Sequence, residues 1–75
     1  LETPIRYDSV RVDFVDGSFK IGLFENLNGD FDYLRRQNQW RFIENDKSVA
    51  YRENENDSKY TIVINGKDVD KLTIL

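Results

Sequence analysis

Neither cysteine nor histidine occurs anywhere in the 75 residues. The first absence excludes disulfides and thiolate metal sites as staples for a small core. The second removes the usual general base and leaves carboxylates as the side chains best suited to a metal ion. Proline occurs once, at Pro4. No apolar run approaches the roughly 18 to 20 residues that span a bilayer, and no secretory leader is visible, so cytoplasm is the default compartment and no membrane partner is expected. A net charge of -3 argues against non-specific attraction to phosphates or anionic lipid. A chain this short buries only about 60 to 65% of the surface its unfolded form exposes. One domain over residues 1–75 is therefore expected, stabilised by apolar packing and, as in many small domains, by oligomerisation.

What is present is an ample apolar supply at strand spacing. Five Phe, four Tyr and one Trp accompany many Val, Ile and Leu. Val10, Val12 and Phe14 alternate with Arg11 and Asp13, the pattern of a half-buried strand. Asp16-Gly17 follows, a strong hairpin signal because glycine accepts positive φ without a Cβ clash. Phe19, Ile21 and Leu23 resume the alternation, and Gly22 within that run predicts a bulge or sharp bend. Residues 26–32 are turn-rich. Residues 33–43 read as a third strand around Trp40 and Phe42, with 34–37 as a loop before it or, in the alternative, one turn of helix. Val49 to Tyr51 reads as a short fourth strand, and residues 53–59 (ENENDSK) as a solvated hairpin loop. Tyr60, Ile62 and Ile64 alternate again, Asn65-Gly66 makes a turn, and Val69, Leu72 and Ile74 supply the last apolar segment. Short strands at this spacing without a long amphipathic helix predict an all-β fold, most economically a small, strongly bent five-stranded antiparallel barrel whose closure removes exposed edges.

Two separated segments carry a family resemblance. Residues 10–17 with Gly22, and residues 64–72 with Asn65-Gly66, resemble the two halves of the signature of the Sm-like (LSm) family, small barrels akin to SH3-like ones. In that family an Asp-x-apolar-Asn run after the second strand and an Arg before the turn glycine build a base-binding pocket. The matching positions here are Asn28-Gly29-Asp30-Phe31-Asp32 and Asn65, so the pocket lacks its guanidinium. The resemblance also implies assembly through the fourth strand of one subunit and the fifth of the next, which would place residues 60–64 and 69–74 at that contact. Fold likeness does not carry RNA binding with it, because function resides in the site.

Residues 33–41 (YLRRQNQWR) combine three arginines and two aromatics with no acid, the chemistry of single-stranded nucleic-acid binding. Together with the resemblance this gives a candidate nucleic-acid set of Asn28, Tyr33, Arg35, Arg36, Arg41 and Asn65. The plainer and favoured reading places Trp40 in the core and pairs the arginines with neighbouring acids. Asn28, Asp30 and Asp32 open like a calcium loop, but Tyr33 and Gln39 stand where glycine and glutamate are needed, so no metal is assigned. The serines have no base to activate them and no phosphate-cradling loop occurs, so neither an enzyme activity, a cofactor nor a small-molecule substrate is expected. The leading expectation is a non-catalytic interaction module that binds protein or its own copies. RNA or single-stranded DNA binding is the rival, and an accessory domain of a longer chain is the third reading.

Overall fold

A computed structural model describes residues 3–4, 7–26 and 29–75. Five antiparallel strands form one sheet: β1 (Val10–Phe14), β2 (Phe19–Phe24), β3 (Gln39–Glu44), β4 (Ile62–Asn65) and β5 (Val69–Ile74), in the order β4-β3-β2-β1-β5. The β1–β2 hairpin pairs Asp13 with Phe19 and Val10 with Gly22. Its turn forms as the Asp-Gly signal predicts. Gly17 has φ of 91°, and the Asp16 carboxylate accepts from the Ser18 amide at 2.9 Å and the Ser18 hydroxyl at 2.6 Å.

The sheet is strongly bent, and its connectivity shows by how much. In a flat sheet β4 and β5 would lie four strand spacings apart, about 19 Å. Only a three-residue 3-10 turn, Gly66–Asp68, joins them, and a link of that length spans at most about 14 Å. The sheet must therefore curl until its two ends approach. One core follows from this, built from Val10, Val12, Phe24, Trp40, Phe42 and Ile64, with Phe14, Phe31, Ile62, Val69 and Leu72 packed around it. All five strands contribute. The hydrogen-bonded ladder nevertheless stays open, since among the described residues β4 pairs only with β3 and β5 only with β1. The full closure expected of a barrel is not reached, and two edges remain.

Gly22 permits the bend. A Cβ at that position would stand 1.9 Å from the Ile43 carbonyl oxygen of the neighbouring strand. The backbones of β2 and β3 approach there as only glycine allows.

Two segments differ from their sequence reading. Val49 to Tyr51 is not a strand but the middle of a short helix, α2 (Ser48–Glu53). The β3 edge that such a strand would need is occupied by β4, and helical winding instead buries Tyr51. Residues 34–36 adopt the helical alternative, within α1 (Phe31–Arg36), and Gln37 caps it. The three-residue spacing of Phe31 and Leu34 puts both on one helical face, so that Leu34 is buried and the Phe31 ring meets Trp40 edge-on at 6.4 Å. The ENENDSK segment is a turn with Glu55 and Asn56 at positive φ, leading into a 3-10 turn at Ser58–Tyr60. β4 accordingly begins at Ile62, not at Tyr60.

Replacing Gly22 by alanine is expected to cost about 3 kcal/mol or more, because backbone and not a mobile side chain blocks the added carbon. Total stability at this length is about 4 to 11 kcal/mol, so a thermal melt followed by circular dichroism should show a largely lost or strongly lowered transition. In the β1–β2 turn, the Ser18 hydroxyl and amide hold the Asp16 pKa below its ordinary value. The stabilising contribution of that carboxylate is present above its unfolded pKa and is lost as pH falls through the lowered value. An NMR titration should find Asp16 titrating low, and returning toward the ordinary range in Ser18→Ala.

Candidate binding surface

The arginine-rich segment 33–41 does not remain a single patch. α1 turns Leu34 inward and leaves Tyr33, Arg35 and Arg36 exposed, the two arginines in its last turn where they complement the helix dipole. Asn38, with φ of 56°, reverses the chain into β3 and accepts the Gly66 amide on its carbonyl at 2.7 Å. Trp40 then enters the core at 7% exposure, with its indole N–H donating to Asn38 Oδ1 at 3.2 Å. Its ring is thus withdrawn from any role in stacking on a base. The core reading of this residue is the correct one.

Arg41 is withdrawn as well. Its Nη1 donates to Thr61 Oγ1 at 2.9 Å and its Nη2 to the Asp30 carboxylate, leaving the side chain only 13% exposed. A guanidinium with two donors committed to fixed acceptors ties β3 to the segment before β4 and to the residue that precedes α1. Arg41 Nε and Asp30 Oδ1 are buried without hydrogen-bond partners among the described residues, so these residues leave the tie unsaturated. Asn65 is engaged across the β3–β4 ladder, where its Oδ1 accepts from Gln39 Nε2 at 3.0 Å. Asn28 lies outside the described residues. Of the candidate set, the structure leaves Tyr33, Arg35 and Arg36 together on α1 and assigns Arg41 and Asn65 to internal contacts. Of the residues in the calcium-like alternation, Asp30 serves Arg41 and Asp32 lies in α1.

Other features were missed in the sequence. Leu23 pairs with Ile43 on the face of the sheet turned away from the core, and both Ile43 and Tyr51 of α2 are buried. A cleft of about 300 Å³ opens there, lined among others by Tyr7, Leu23, Glu25, Ile43, Tyr51 and Arg52. Glu25 is the one buried charged residue among those described. The signal was obscured because Glu25 adjoins Asn26 at the start of a turn-rich run and Tyr51 falls in a segment that mimics strand alternation.

The two sheet edges complete the surface. Val63 on β4 and Ile74 on β5 are exposed large apolar side chains, followed by Leu75. Compared with protein-family models, with curated proteins and with solved structures, the chain matches none of them.

The different fates of the arginines can be measured. Arg41→Gln should destabilise the fold by about 1 to 3 kcal/mol by leaving Asp30 without its charged donor, whereas Arg35→Gln and Arg36→Gln should each stay within about 0.5 kcal/mol of the parent. Urea denaturation of the three variants checks this.

Proposed function

We propose that this chain is a non-catalytic binding module that engages another protein, or further copies of itself, along an open sheet edge. The observation that carries the reading is that the bent five-stranded sheet ends in two edges that, among the described residues, are paired on one side only, each bearing an exposed apolar residue, Val63 on β4 and Ile74 on β5. Unpaired amides and carbonyls beside apolar side chains are the template on which an added strand forms. Nothing in the composition opposes this use, and the absence of histidine and cysteine favours binding over catalysis.

A second reading has an observation of its own. Tyr33, Arg35 and Arg36 are all exposed on one short helix, which favours contact with single-stranded RNA or DNA through phosphates and one stacked base. It lacks the buried Trp40 and the committed Arg41, so it retains two of its three arginines and one of its two aromatics.

Light scattering after size exclusion, with and without a short single-stranded RNA at low salt, separates the two. The expected result is no RNA uptake, with any mass above the 8.9 kDa of one chain returning to that value in Val63→Lys or Ile74→Lys. RNA uptake that weakens steeply with salt and disappears in Arg35→Gln/Arg36→Gln would overturn the protein-binding reading in favour of the nucleic-acid one.

A further inference from the structure

The two edges are not equivalent. β5 carries charged Asp70 and Lys71, and its register against β1 passes from Asp13↔Lys71 to Phe14↔Val69, leaving Asp70 without an opposite residue. Charges and a bulge are the means by which proteins blunt an edge against unwanted pairing. β4 has neither. Its four residues, Ile62-Val63-Ile64-Asn65, are uncharged and pair in unbroken register with β3. At its Asn65 end β4 runs directly into the 3-10 turn Gly66–Asp68 that leads to β5. Next to its Ile62 end lies a cleft of about 350 Å³, lined by Glu44, Lys47, Lys59, Tyr60, Thr61 and Ile62.

The lining holds two lysines and one carboxylate. Glu44 is already neutralised by Lys20 at 3.0 Å, whereas neither Lys47 nor Lys59 has an ion-pair partner among the described residues. Both lysines are exposed. The Lys59 ammonium lies 5.1 Å from the centre of the Tyr60 ring, which holds it near the cleft wall. Thr61 is fixed by accepting from Arg41 and donating to the Ser58 carbonyl at 2.6 Å, so the rim beside the edge is rigid.

We infer that β4 is the docking edge for an extended segment of a partner protein, paired antiparallel to β4, with alternating apolar residues and an acidic C-terminal end that enters the Lys47–Lys59 cleft. This deepens the binding reading and rests on it. Antiparallel pairing is the more stable per residue, and it places the incoming C-terminal end beside Ile62. Main-chain hydrogen bonds supply affinity and the lysines select the partner by charge, the division of roles usual in strand addition.

The test uses a fluorescein-labelled peptide of about ten residues, alternating valine and threonine and ending in two glutamates, followed by fluorescence anisotropy. Binding to the parent chain is expected, weakening about tenfold when the glutamates become lysines and again with rising salt. Lys47→Glu/Lys59→Glu should reverse the preference, favouring the lysine-ended peptide, and because both side chains are exposed the fold should survive the change. A peptide with proline at alternate positions should not bind, since it lacks the amides needed for the ladder. Equal binding of the two charged forms, undiminished binding of the proline form, or no binding at about 1 mM peptide would overturn the inference. Oligouridylate binding that the double charge reversal abolishes would assign the cleft to phosphate and overturn it as well. Self-association seen by light scattering without peptide uptake would overturn it while leaving the broader binding reading intact.

Discussion

A three-residue link between the two strands at opposite ends of the sheet is the constraint on which the rest of the structure depends. Because Gly66–Asp68 cannot bridge a flat sheet, β2 must bend, and the approach of the Gly22 backbone to the Ile43 carbonyl is where that bend is accommodated. Bending in turn lets side chains from five short strands share one core. Phe42, Val10 and Val12 are completely buried in a chain too small to build two cores. It also separates a concave face, filled with aromatic rings, from a convex face where Leu23, Ile43 and Tyr51 make a second, smaller apolar contact under α2. The long segment between β3 and β4 is thereby secured to the sheet without adding a strand to it.

Polar ties hold the ends of this arrangement in place. Asn38 serves three purposes within one residue: its left-handed backbone turns the chain, its carbonyl receives Gly66, and its side chain receives the Trp40 indole. Arg41 performs an equivalent task within β3, linking Asp30 and Thr61. These contacts take up functional groups that otherwise have the right chemistry for a nucleic acid. Exposed positive charge remains at several separate places, among them Arg35 and Arg36 of α1, the Lys47–Lys59 cleft, and Lys67 and Lys71 beside β5, and this dispersal is why the overall charge of -3 is a poor guide to what the surface attracts.

The strands were legible where alternation coincided with turn chemistry. Val10 to Phe14, the Asp16-Gly17 turn and the Ile62 to Ile64 run each declare both a period and a boundary. Gly22 was legible as a bend, though not as a contact with Ile43, which depends on register. Of the helices, α1 was legible only as the alternative to a loop and α2 not at all, because they are six residues each, too short for a helical period to stand out against a strand's. Val49, Ala50 and Tyr51 satisfy either pattern, and what decides between them is that β4 has already taken the β3 edge. The arginines were ambiguous for a related reason: composition identifies a cation but not its partner. Arg41 and Asp30 meet only because α1 intervenes between their segments, and the Lys47–Lys59 cleft joins residues that no local window contains.

The sheet order has a consequence for how the chain is made. β1 lies between β2 and β5, so a strand completed early in synthesis waits for the one that emerges last. Until β5 has left the ribosome, the hairpin of β1 and β2 presents its β1 edge and the apolar flank of Val10 and Val12 to the surroundings. Folding is then limited by a contact between strands far apart in sequence, and such non-local pairing is slow. During that interval the nascent chain is most prone to pair with the wrong strand. The bulge and charges of β5, which guard the finished edge, offer β1 no protection before they arrive.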